Sequence, residues 1–150
     1  MKKGQISTEL LVVVGLVLVI FIPLLVLVYF KAGEAQTEMA AYQAQLVVFR
    51  IAYLSNSVGS LGTETTVYTD LYIPRNTLSL RTMNTGDGAE VQLKLQGDQG
   101  ESDVAEVIRY RLTSDSETEL VEEGSYGWAR YEISSVYEEN EGKIRIRRVN

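Results

Sequence analysis

The chain has 150 residues, no cysteine, no histidine and a formal net charge of −6. Without cysteine there is no disulfide framework, no thiolate metal site and no thiol nucleophile, and without histidine the commonest general base and metal ligand is missing as well. The acidic balance lies beyond residue 60, where 10 basic face 17 acidic side chains for a net of −7, a distribution that repels nucleic acid and anionic headgroups.

The N-terminal stretch sets the organisation of the rest. Lys2, Lys3 and Gly4 are followed by the polar cluster Gln5, Ser7 and Glu9, and then by 21 residues from Leu10 to Phe30 without a charge. As a helix that run is roughly 30 Å long, about the thickness of a bilayer's hydrocarbon core. It exceeds the ~7–15 apolar residues of an ordinary secretory signal, and no Ala-x-Ala-like site follows it. The run is therefore expected to stay in the mature chain. Lys2 and Lys3 precede it, and only Lys31 follows closely, which places the N-terminus in the cytoplasm and the residues after 31 outside. Glu9, a carboxylate at the mouth of the apolar run, reads locally as a first-turn helix residue behind an Ser7 N-cap.

Taken together, the arrangement Lys2-Lys3-Gly4, then Gln5, Ser7 and Glu9, then an apolar helix resembles the class III signal peptide of archaeal type IV pilin-like proteins. That family reads Gln-x-Ser-x-Glu after a short basic leader, often with Leu four residues beyond the Glu; this chain carries Val13 there. The resemblance covers about the first 30 residues closely and the remainder only in architecture. It implies cleavage between Gly4 and Gln5 by a prepilin peptidase on the cytoplasmic side of the membrane. It also implies that Glu9, fifth in the mature chain, neutralises the Gln5 amine of a neighbouring subunit during assembly.

Within the apolar run, Gly15 allows close approach of another helix, and Pro23 removes one backbone hydrogen bond and is expected to bend it. Beyond Phe30 the helical pattern continues to about residue 58. Met39, Tyr42, Leu46, Phe49 and Tyr53 fall at alternating three- and four-residue steps and draw one apolar stripe, expected to cover a sheet. Gly33 is the alternative hinge. Ser55-Asn56-Ser57-Val58-Gly59-Ser60 is the stop signal.

From about residue 65 the period changes to two. Val67, Thr69, Leu71 and Ile73 alternate with Tyr68, Asp70 and Tyr72; Leu78 and Leu80 alternate again; Val91, Leu93 and Leu95 line one face of the next segment. Residues 104–112 set Glu106, Ile108, Tyr110 and Leu112 against Val107, Arg109 and Arg111, and the spans 126–137 and 143–149 make a last pair. Short alternating strands between turn clusters predict an antiparallel sheet or small sandwich. The expected fold is α+β and type IV pilin-like: a leader at 1–4, a membrane-spanning and assembly half of the helix at 5–30, an amphipathic half at 31–58, and an extracytoplasmic β-domain at 65–150.

No catalytic constellation is found. Glu122, Glu123, Glu138, Glu139 and Glu141 sit in turn-like stretches rather than in a shielded cleft. Asp87, Asp98, Glu101 and Asp103 flank glycines but lack calcium-loop spacing and are read as turn residues. Lys143, Arg145 and Arg147, with Arg148 beside them, form a basic row expected to pair across the sheet with residues such as Glu132; Trp128 and the tyrosines are assigned to core and sheet surface. The residues offer no catalytic, cofactor or metal constellation, and the resemblance implies a non-enzymatic structural subunit of a surface filament, major or minor. Its expected partners are the prepilin peptidase, other pilin subunits and the membrane, with no nucleic acid. Its location is the cell membrane as precursor and an extracellular filament after processing. The alternative from another class is a monomeric, membrane-anchored extracytoplasmic binding protein, which leaves Gln5, Ser7 and Glu9 behind a dilysine leader unexplained.

Overall fold

A single α-helix, α1, runs from Lys3 to Leu61 without interruption at Pro23 or Gly33. The computed structural model describes residues 3–62, 64–97, 100–117, 119–121 and 124–149, with side chains from Thr8 onward. Two units are distinguished, residues 1–38 and residues 39–150. The first is helix alone. All its large apolar side chains from Leu10 to Phe30 are exposed, and the helix is long and apolar enough to cross a membrane.

The second unit comprises the remainder of α1 and seven strands: β1 (Thr66–Ile73), β2 (Thr77–Thr85), β3 (Gly88–Gly97), β4 (Gly100–Ile108), β5 (Glu119–Val121), β6 (Gly127–Glu138) and β7 (Glu141–Val149). They form a three-stranded sheet in the order β1-β6-β7 and a four-stranded sheet in the order β4-β3-β2-β5. Every pairing is antiparallel. The expected α+β architecture is therefore present, its strands divided between two antiparallel sheets.

Alternation explains the inward faces. Ala89, Val91, Leu93 and Leu95 of β3 are buried while Glu90, Gln92 and Lys94 between them are not. Ile144 and Ile146 of β7 enter the core, and Arg145 and Arg147 face away from it. One register break matters. The β2–β3 pairing shifts between Thr77 and Ser79, so Leu80 is fully buried and Leu78 only half-buried. Such a shift bends the strand and changes its phase, which simple alternation from Leu78 to Leu80 does not anticipate.

The helix corrects the expectation more substantially. Met39, Tyr42, Leu46, Phe49 and Tyr53 do not cover the sheets; they are 54–68 % exposed. The core-facing residues are Ala44, Val47, Val48, Ile51, Ala52 and Val58, which join both sheets in one apolar cluster. Both sets obey helical spacing, so periodicity finds two stripes and does not choose between them. Small and β-branched side chains let the helix axis approach the sheets, whereas an aromatic face would hold it off. The same close approach occurs at Gly59, where a Cβ atom would fall 2.3 Å from the Tyr110 ring.

Two asparagines hold the 107–112 segment as a strand partner would. Asn56 of the helix accepts from the Arg109 N–H at 2.8 Å and donates to the Val107 carbonyl at 3.3 Å. Asn84 of β2 accepts from the Leu112 N–H at 2.7 Å and donates to its carbonyl at 3.2 Å. The strand expected at 104–112 accordingly ends at Ile108, and Leu112 lies instead beside Ile144 of β7 in an isolated parallel bridge. A 3₁₀ turn at Ser114–Ser116 follows. The Ser116 hydroxyl accepts from the Ile146 N–H at 2.9 Å and meets the Thr113 hydroxyl at 2.9 Å, and its carbonyl accepts from Thr82. Buried hydroxyls are thus paired where the turn meets β2 and β7.

Candidate functional site

The residues that carry the sequence motif lie at the start of α1. Because the helix begins at Lys3, Ser7 is not its N-cap and Glu9 is not in its first turn. Gly4, Gln5 and Ser7 belong to the helix, but the side chains of Gln5 and Ser7, like Met1 and Lys2 altogether, lie outside what is described, and Glu9 is exposed. A Cβ at Gly15 would meet nothing within 4 Å, so the space a close helix would need is open. Pro23 lies inside the helix.

In the second unit the exposed face of α1 carries the large apolar side chains Met39, Tyr42, Leu46, Phe49 and Tyr53. Phe49 and Tyr53, four residues apart, stack with centroids 6.1 Å apart at an interplanar angle of 19°. Beside them, a groove of about 370 Å³ is lined by Phe49, Tyr53, Asn56, Val107 and Tyr110. Val107 is a large apolar residue exposed on β4, an outer strand of its sheet. This surface is made by the residues that the spacing argument assigned to the core. Spacing was the misleading signal, since both stripes of the helix satisfy it.

The charged residues separate into structural pairs. Arg147 donates to Glu132, its register partner on β6, at 2.9 Å, as the basic row predicts. Its neighbours choose other acids: Arg145 pairs with Asp115 at 3.1 Å, and Lys143 with Glu139 and Glu138. The Glu138–Glu141 hairpin carries Glu139 and Asn140 at φ 53° and 70°, a left-handed pair that Lys143 helps to fix through Glu139. On the solvent face of the β1-β6-β7 sheet, Arg130 makes two hydrogen bonds to Asp70, at 2.8 and 3.2 Å. Among the described residues no group of three or more acidic side chains is placed to hold a metal ion. Asp98, Glu122 and Glu123 lie outside the described residues.

These pairs carry a pH dependence. The Arg147 hydrogen bond holds Glu132 below its ordinary carboxylate value of 4.5, although desolvation opposes it. Arg130 acts likewise on Asp70 and Lys143 on Glu139, while Asp115 is held down first by Thr113 and then by Arg145. A carboxylate with a depressed folded-state pKa binds fewer protons in the fold than in the unfolded chain. Its contribution is therefore intact above about pH 4.5 and is lost as pH falls through the lowered values. The unfolding midpoint of the detergent-solubilised chain is expected to drop on acidification from about pH 6 to about pH 3. Glu132→Gln, which removes the least exposed of these carboxylates, should flatten that drop; an unchanged acid slope would count against the pair.

No protein family, characterised protein or solved structure matches the chain in sequence or fold comparisons. The site must therefore be read from its own chemistry: a helix apolar enough to cross a membrane, followed on the same chain by an α+β domain with an uncovered aromatic helix face.

Proposed function

We propose that this chain is a structural subunit of an archaeal type IV pilus-like surface filament, cleaved after Gly4 by a prepilin peptidase and assembled through α1. The observation that carries the proposal is the uncovered face from Met39 to Tyr53. A single apolar span anchors a protein whether or not it assembles, so the span does not discriminate. The second face does. Met39 lies nine residues beyond Phe30, and in an anchored monomer this stripe would stand in water outside the membrane. Each such side chain, still more than half exposed, forgoes about 1–2 kcal/mol of burial. Packing against other subunits removes that deficit, and contiguous exposed apolar surface of this kind ordinarily marks an interaction site.

Solvation also rationalises the processing step. Within the bilayer the apolar helix is satisfied by lipid, and within a filament the same surface would face other helices. Removing residues 1–4 deletes Lys2 and Lys3, whose burial in such a core would be heavily penalised. It creates the Gln5 amine, for which Glu9 of a neighbour is the counter-ion. The β-domain then forms the outer surface.

The test is the N-terminal residue. Mass spectrometry of the native protein is expected to show a chain beginning at Gln5, free or cyclised to pyroglutamate. A bulky residue at Gly4 should leave precursor in the membrane, since a peptidase subsite that accepts glycine has no room for a large side chain. Recovery of the mature protein with Met1 retained, or starting beyond Phe30, would overturn the proposal in favour of a secreted or simply anchored binding protein.

A further inference from the structure

We propose that the solvent face of the β1-β6-β7 sheet carries a saccharide-binding platform centred on Trp128. The inference does not depend on filament assembly, because it rests on a surface exposed on the single chain. Trp128, the chain's one tryptophan, is 74 % exposed, while aliphatic side chains and Tyr131 fill the core beneath. Its cross-strand partner is Tyr72, whose ring meets the indole edge-on with centroids 5.7 Å apart at 69°. Beside that contact the indole remains largely open to solvent. Close by in sequence, Tyr126 is also exposed, with the Arg75 guanidinium 5.4 Å from its ring centroid.

One step along the same face come the polar groups. Arg130 lies two residues after Trp128 on β6, and Asp70 two residues before Tyr72 on β1, about 6–7 Å along each strand. Their two mutual hydrogen bonds leave three of the five guanidinium N–H donors and further carboxylate lone pairs directed elsewhere. A shallow depression of about 340 Å³ joins them, lined by Asp70, Trp128, Arg130, Arg148 and Val149.

The complement of this surface is a molecule with a flat patch of C–H bonds flanked by adjacent groups that both donate and accept. A pyranose ring has that form. Its axial C–H bonds lie against the electron-rich indole face, and its equatorial hydroxyls reach the acceptor Asp70 and the donor Arg130. A lipid chain would desolvate the ion pair without replacing its hydrogen bonds, and nucleic acid is opposed by the chain's net charge of −6.

The reporter is built in, because Trp128 alone dominates the emission. The full chain, held in nanodiscs or in detergent without a sugar headgroup, is titrated with a neutral tetrasaccharide (chitotetraose) and an acidic one (tetragalacturonate). Expected with at least one probe is a saturable emission shift together with loss of quenching by acrylamide. The double variant Asp70→Asn/Arg130→Gln, with its thermal midpoint checked against the wild type, should bind the same probe roughly tenfold more weakly. No saturable change with either probe would overturn the proposal. So would protection of Trp128 that rises with protein concentration in the absence of sugar, which would make this face a contact between copies of the chain.

Discussion

Aspartate at Phe49 is expected to leave the domain folded and to prevent filament formation, whereas aspartate at Ile51, two residues away, should unfold it. Ile51 has no exposed surface, and a carboxylate there would be buried without a partner among Val47, Val48 and the apolar faces of both sheets. The cost combines lost apolar burial with an uncompensated charge, about 4 kcal/mol or more, a large share of a small domain's stability. Phe49 is more than half exposed and its visible partner is the stacked ring of Tyr53. Losing that contact costs ~0.5–1.5 kcal/mol beyond the partial burial of the ring, and the introduced carboxylate can stay in water. Assembly is another matter, because a buried aromatic at an interface commonly carries 2 kcal/mol or more per contact, and every added subunit repeats the contact. Thermal melting and sheared-filament yield on the same two variants separate the roles. Wild-type filament yield from Phe49→Asp would show that the aromatic face is not an assembly surface, and it would remove the chief support for a filament over an anchored monomer.

The contrast between these two neighbours also shows where sequence reasoning reached its limit. Most strands were legible because a period of two leaves little choice once turn clusters bound it: Val91, Leu93 and Leu95 had to share a face, as did Ile144 and Ile146. The three-residue β5 and the end of β4 at Ile108 were not, since both are set by tertiary contacts. The helix was legible as a helix, and its apolar N-terminal run as a membrane-spanning candidate. Its orientation was not. The buried set, Ala44, Val48, Ile51, Ser55 and Val58, and the exposed set, Met39, Tyr42, Leu46, Phe49 and Tyr53, have the same spacing. What decides between them is the depth available above the two sheets, a tertiary quantity that no local pattern encodes. The clamps of Asn56 and Asn84 on residues 107–112 were hidden for a similar reason, since both asparagines read locally as stop or turn residues. Trp128 was assigned to core or surface without a decision, because alternation fixes which residues share a face and not which face is wet. The motif residues Gln5, Ser7 and Glu9 are the opposite case. They form a pattern in sequence alone, and the contact proposed for Glu9 lies between chains, outside what the fold of one chain displays.

Glu9→Gln is the variant for which the two readings of the protein diverge most. In an anchored monomer whose helix begins at Lys3, Glu9 lies beyond the first turn and contributes at most a small fraction of the ~0.3–1 kcal/mol helix-dipole interaction, and its amide would insert and function normally. As the counter-ion of a neighbour's Gln5 amine in a dry filament core, it has no substitute. Removing one member of a buried ion pair costs about 3–5 kcal/mol, because the other charge stays behind unpaired. That penalty recurs with every subunit, so elongation stops even if the first contacts form. The variant is therefore expected to insert, to be cleaved after Gly4 and to accumulate in the membrane without entering filaments. Glu9→Asp should fall between the two, since it keeps the charge but shortens its reach by one methylene. Filament yield is the measurement, with cleavage verified by mass in the same cells so that a processing defect is not mistaken for an assembly defect. A yield equal to wild type from fully cleaved Glu9→Gln would remove Glu9 from the assembly contact and return it to the interface of a single membrane-anchored chain.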